Sequence, residues 1–151
     1  MATPSLPAAR TLATLVSNVT QPMCGISFEP SEPQLPTPAL YWRVANLAIK
    51  GTHSLRVTLS SDQPGCKALG AALFSIPIAD VDSSMIDDSL CELLNMAAGQ
   101  IKSALGLDQA LGLPRIVPSD SLPGPQAGEP GAVILRSQGA VGLVIAVRAA
   151  D

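Results

Sequence analysis

The sequence predicts an α+β fold, a layered sandwich in which a mostly antiparallel sheet is packed with helices. Three observations carry that prediction. Apolar residues recur at helical spacing over 8–20 and, most strongly, over about 84–105, while 40–50 and 54–60 read as paired strands. Two β-rich runs, 132–137 and 141–148, close the chain around Gln138-Gly139-Ala140, the pattern of a hairpin. The resulting order of helix, three strands, two helices and two strands indicates a sheet with helices laid against it. A length of 151 residues suits one ordinary domain, and no boundary is apparent, so 1–151 reads as a single domain.

Each element has its own warrant. In 8–20, Leu12, Leu15, Val16 and Val19 form one helical stripe. Residues 24–29 read as a short strand, with Ile26 and Phe28 alternating against Ser27 and Glu29. The Pro-rich connector 30–38 admits neither a helix nor a central strand. Strand 54–60 alternates cleanly, with Leu55, Val57 and Leu59 on one face; 40–50 does so imperfectly, and Gly51 lies between them. Residues 64–75 are ambiguous between a helix and a loop followed by a strand; the helix is favoured because Lys67, Ala68, Ala71, Ala72 and Leu73 are good helix formers. Gly106 ends the helix 84–105. Residues 107–131 are Pro- and Gly-rich and irregular, with one apolar run at Arg115-Ile116-Val117; loops that long are usually functional or mobile.

Composition excludes several function classes. With 47% hydrophobic and 3% aromatic residues, the core must be built from Leu, Ile, Val and Ala. A net charge of −3 without a Lys/Arg cluster along the chain gives nucleic acid no footprint and disfavours an anionic membrane surface. No apolar stretch reaches the roughly 18 residues of a spanning helix, and the first residues lack the pattern of a signal peptide. Cys24, Cys66 and Cys91 are odd in number with no CxxC spacing, which reads as reduced, mostly buried thiols in a cytoplasmic protein. His53 is the only histidine and reads as a surface-loop residue, so no metal set is announced. Neither a Gly-x-Ser-x-Gly elbow nor a phosphate-binding glycine loop is present. Trp42 reads as core or interface, with core favoured.

The helix 84–105 carries the functional signal. At about 100° per residue, Ile86, Leu90, Leu93, Leu94, Ala97, Ile101 and Leu105 fall within an arc of roughly 120°, which must face the core. Asp88, Glu92, Asn95, Gly99 and Lys102 fall within roughly 80° on the opposite side. Glu92 and Asn95 are i and i+3, adjacent on that surface. Gly99, flanked by Ala98, leaves bare backbone where another protein can approach closely. Any amphipathic helix needs a polar face, and Glu-x-x-Asn occurs often by chance. Mid-helix Asn and Gly, however, each cost roughly 0.5–1 kcal/mol relative to Ala, so something other than stability favours them.

Asp88-x3-Glu92-x2-Asn95, followed after twenty-two residues by Pro118, resembles the D/S-x3-E-x2-N-x22-P signature of the CheC–CheX–FliY family of chemotaxis phosphatases. The string ELLNMAAGQIKSAL is similar to that family's E-x-x-N-x-x-x-G segment. One copy of the signature is present, which resembles CheX-type members; CheC-like ones usually carry two. The resemblance is sharp over 85–118 and implies a CheX/CheC-like sandwich. It further implies a hydrolase acting on the aspartyl phosphate of a CheY-like response-regulator receiver domain. In that reading Asn95 orients the attacking water and Glu92 engages the receiver's lysine, the two catalytic positions. Asp88, Gly99 and Lys102 are then partner-binding. Asp88 either orients Glu92 or favours the helix start, and Pro118 shapes its loop. The chain needs no metal or cofactor of its own, because the receiver supplies Mg²⁺ and its acidic pocket. A homodimer joined through sheet edges is also implied. The alternative reading is a non-catalytic CheX-like module that binds a receiver as an adaptor or sink.

Overall fold

Local signals in the chain set where its helices begin and end, and those limits decide which faces the helices bury. The computed structural model describes residues 7–32, 34, 38–51, 54–107, 109–117, 132–139 and 141–149. His53, Pro118 and most of the Pro/Gly-rich stretch after 117 lie outside the described residues.

Helix α1 spans Ala9–Cys24 and buries Leu12, Ala13, Leu15, Val16 and Val19. It runs past the end read from periodicity because Pro22 falls in its last turn, where a missing N–H removes one bond rather than breaking the helix. Gly25 then stops it in the left-handed conformation at φ 71°. Strand β1 is shorter than the alternation suggested, Phe28–Pro30. Ser17 fastens it to α1: the Ser17 hydroxyl accepts from the Phe28 N–H at 2.8 Å and donates to the Phe28 carbonyl at 3.2 Å.

A single 3-10 turn, Pro38–Tyr41, leads into β2, Arg43–Lys50, which pairs antiparallel with β3, Leu55–Ser61. Helix α2, Gln63–Phe74, starts on the Asp62 carboxylate, which accepts from the Gly65 N–H at 2.7 Å, and ends at Ser75 with φ 57°. Helix α3, Ser83–Ala104, starts on the Asp82 carboxylate, which accepts from the Met85 N–H at 2.9 Å. Strands β6, Ala132–Ser137, and β7, Gly142–Ala149, form the hairpin read from the sequence.

The stretch after α3 is less irregular than expected. Ala110–Leu111 (β4) and Arg115–Val117 (β5) both add antiparallel to the outer edge of β2. Strands of two and three residues carry no readable period; the edge of β2 supplies their hydrogen-bonding partners. The sheet order is β1-β6-β7-β3-β2-β4, with β5 also on β2.

All three helices cover one face of the sheet. Ala45, Leu47 and Ile49 of β2, Leu55, Val57 and Leu59 of β3, and Leu143, Ile145 and Val147 of β7 meet the helices there in one apolar cluster. On the other face only Leu40, Ile134 and Val144, with Tyr41 against them, form a second small cluster. This explains the imperfect alternation of β2, whose Val44 is buried on that second face. Trp42 is a correction to the sequence reading. It stands just before β2, 37% exposed, with the Arg43 guanidinium 4.8 Å from its ring centroid. Arg43, itself held by Asp87 of α3, covers the ring, so a cation rather than the core takes the ring face.

Among the described residues, no helix is long and apolar enough to cross a membrane.

Candidate functional site

Helix α3 is held in one rotation by what it buries. Ile86, Leu90, Leu93, Leu94, Ala97 and Ile101 are all buried as the periodicity requires, with Leu105 partly so. Each large aliphatic side chain is worth about 1.5–3 kcal/mol in the core, so turning the helix to bury its polar side would forfeit several such terms at once. Two details narrow the rotation further. The buried Ser89 hydroxyl donates to the Met85 carbonyl at 2.7 Å, and a Cβ on Gly70 of α2 would lie 3.5 Å from Ser89 Oγ. Ala98 is fully buried, so it belongs to the core rather than beside Gly99 on the open side.

With the rotation fixed, Asp88, Glu92 and Asn95 are exposed, and none of them makes a hydrogen bond or ion pair with a described residue. Glu92 and Asn95 are one turn apart on the same side, with Cβ atoms about 5–6 Å apart by helix geometry. Gly99, one turn on, is half-buried, and a Cβ placed there would meet nothing within 4 Å. Lys102 is half-buried in the last turn, where a cation suits the carbonyl end of the helix. The structure thus brings all five sequence-chosen residues onto one strip of α3.

A neighbouring cluster escaped the sequence reading. Asp87 forms an ion pair with Arg43 at 3.4 Å, and Arg43 in turn covers Trp42. Asp87 sits at the margin of the apolar arc, a position where a carboxylate needs a partner; that was the available signal. The pairing leaves Asp88 and Glu92 as the uncompensated carboxylates of the strip.

Burial disfavours the thiolate at all three cysteines. Burial, then the Asp62 carboxylate, pushes Cys66 up to about 12, and its Sγ lies 3.7 Å from the Ser61 carbonyl oxygen. Burial also raises Cys24, and burial followed by Asp87 and Asp88 raises Cys91. All three cysteines are free, but only Cys66 is fully buried. Among the described residues, no group of three or more His, Cys, Asp or Glu is placed to hold a metal ion. What the strip offers is a carboxylate that accepts and a carboxamide that both donates and accepts, on a rigid support.

Comparison with known proteins places this geometry. The family model of the chemotaxis phosphatase CheX matches residues 43–135, which takes in β2, β3, α2, α3 and the strip. No curated protein sequence matches the chain. Among solved structures, the chemotaxis protein CheX from Desulfovibrio desulfuricans is 15% identical with a TM-score of 0.65, covering 92% of this chain and 96% of its own. The CheX of the CheX–CheY–BeF3–Mg²⁺ complex from Borrelia burgdorferi is 14% identical with a TM-score of 0.68, covering 93% and 96%. Thermotoga maritima FliY is 12% identical with a TM-score of 0.58, covering 93% and 85%. At such identities the similarity establishes a shared fold.

Proposed function

Because the chain belongs to the CheX family, we propose that it hydrolyses the aspartyl phosphate of a CheY-like receiver domain, with Glu92 and Asn95 as its working pair. One observation carries the reading: both side chains are exposed and without partners among the described residues, on a helix whose opposite side is locked in the core. Every hydrogen-bonding position they have is therefore available to another molecule.

The chemistry asks little more of this chain. Water attacks phosphorus in line, the bond from phosphorus to the aspartyl oxygen breaks, and the products are inorganic phosphate and a free carboxylate. Phosphoryl transfer of this kind depends mainly on positioning and on charge stabilisation. The Asn95 carboxamide accepts from the attacking water and donates toward the phosphoryl oxygens, staying neutral throughout. Glu92 anchors the helix on a lysine of the receiver. Mg²⁺ belongs to the receiver, where it neutralises phosphoryl charge; the existence of a CheX–CheY–BeF3–Mg²⁺ complex in Borrelia burgdorferi supports that division. Asp88, Gly99 and Lys102 contact the partner around the pair. The reading places the chain in the cytoplasm with its receiver. It also includes a homodimer through a sheet edge, to be checked by sedimentation.

The test is the decay of a phosphorylated receiver with Mg²⁺, with and without this protein. The native chain accelerates decay; Asn95→Ala abolishes the acceleration while its stability from urea unfolding stays within about 0.5 kcal/mol of native, since the side chain is exposed. Decay at the intrinsic rate in the presence of native protein overturns the phosphatase reading in favour of an adaptor.

A further inference from the structure

The fold assembles a charge cluster that the sequence disperses. Lys50, Arg56, Arg115 and Arg148, four of the chain's nine Lys and Arg residues, all project from the sheet face opposite the helices. Register fixes this: Arg115 pairs with Asn46, Ala48 with Arg56, and Arg56 with Arg148, and residues directly opposite share a face.

Lys50, Arg56 and Arg115 border a cavity. Between β4 and β5 the chain swings away from β2 while the Gly112 N–H donates to the Ala48 carbonyl at 2.6 Å, and Leu113 stands 83% exposed beside it. A half-open groove of about 550 Å³ results, lined by Asn46, Ala48, Lys50, Arg56, Leu113 and Arg115. A Cβ on Gly112 would lie 3.0 Å from the Ala48 carbonyl oxygen, so the wall can approach this closely only without a side chain. At the floor, Asn46 is 7% exposed, turned away from the helix-facing Ala45 and Leu47, and its carboxamide has no hydrogen-bond partner among the described residues. A polar group this deep is ordinarily bonded. No described carboxylate pairs with Lys50, Arg56 or Arg115.

We propose that this groove binds a small phosphate-bearing molecule, its phosphate held by Arg56, Arg115, Lys50 and the Asn46 carboxamide, its organic part against Leu113. Two guanidinium forks and an ammonium suit a phosphate ester carrying two or more negative charges better than a single carboxylate. The groove lies within the size range of small-molecule sites. It is on the opposite face from Glu92 and Asn95, so it stands or falls apart from the phosphatase reading.

Pyrophosphate and ATP, without divalent cation, are titrated separately into the full chain by calorimetry at low and at high salt. Saturable binding of either probe is expected, weakened at least about tenfold in R56Q/R115Q, which keeps a polar side chain at each position and removes two charge-assisted contacts. Lys67→Ala, on α2 across the sheet, leaves it unchanged. Binding by ATP alone assigns the organic part to the Leu113 wall, and binding by both assigns the affinity to the phosphates. No binding of either probe, or binding that R56Q/R115Q does not alter while circular dichroism shows the variant folded, overturns the proposal.

Discussion

Replacing Gly99 by alanine separates what α3 needs for folding from what it offers to a partner. Glycine in a helix interior is less favourable than alanine by about 0.5–1 kcal/mol, because it loses more backbone freedom on folding. At most helix–helix contacts that gain is unreachable. A Cβ on Gly70 would press to 3.0 Å from Val81 Cγ1, so alanine there must displace a packed side chain. At Gly99 the added Cβ meets nothing within 4 Å, and no strain offsets the entropy. Gly99→Ala should therefore raise stability by the full about 0.5–1 kcal/mol, which for a domain this size is a rise in Tm of roughly 1–4 °C. Urea unfolding should show a higher midpoint at unchanged slope. The second arm is Gly99→Leu, assayed on a phosphorylated receiver: a bulky side chain one turn from Asn95 should slow dephosphorylation while the fold remains intact. A loss of stability in Gly99→Ala would mean that Gly99 packs against something. Undiminished activity in Gly99→Leu would remove it from the docking surface.

Three further outcomes follow from the packing around this helix. Arg43→Met removes both the Asp87 pair and the cover over Trp42; the pair is partly solvated, so the loss is about 1–2 kcal/mol, read as a urea midpoint with a red-shifted tryptophan emission. Cys66 is pushed up from 9.0 to about 12, so the fold favours the neutral thiol. That contribution is complete below pH 9 and is lost as pH rises toward 12; between pH 9 and 10 the native chain should lose about 1 kcal/mol more than Cys66→Ala, measured by urea unfolding at each pH. Gly65→Ala should cost about 1–3 kcal/mol, because its Cβ would run into the Ser61 hydroxyl and lie 3.3 Å from the Gly142 carbonyl oxygen; an unchanged midpoint would refute the close approach of α2 to β7.

The parts of the fold legible in the sequence are those whose pattern is local. Helix α3 repeats its apolar residues over six turns, and the closing hairpin alternates around a glycine-containing turn, so both were read nearly to their ends. Strands β4 and β5 were not legible because two or three residues hold no period, and their existence depends on the distant edge of β2. Trp42 was misplaced for a related reason: its type favours the core, but its position before β2 leaves it to Arg43. The cations of the open sheet face are far apart in the chain and share a face only through register. By contrast the Glu92–Asn95 strip needed no tertiary information beyond the core stripe opposite it.

What separates that strip from an ordinary solvated face is how the carboxyl and carboxamide groups of α3 are used. Asp87 is committed to Arg43, and the Gln100 side-chain oxygen accepts from Asn18 of α1 at 3.4 Å. These two lie at the margins of the helix, where a neighbouring element is within reach. Asp88, Glu92 and Asn95 lie between the margins and have no such neighbour. Asp88 could be explained as a favourable charge near the helix start, and Glu92 as a good helix former. Asn95 admits neither explanation: it lies in mid-helix, where its propensity is poor, and the hydrogen bonds it could make are unmade. With Gly99 one turn on, the helix forgoes about 1–2 kcal/mol relative to alanine over the two positions, and at Gly99 a Cβ would meet nothing within 4 Å. Against the 5–15 kcal/mol by which domains are stable, a loss of that size on one strip is what the proposed docking of a receiver would account for, since docking would use the carboxamide and need the space.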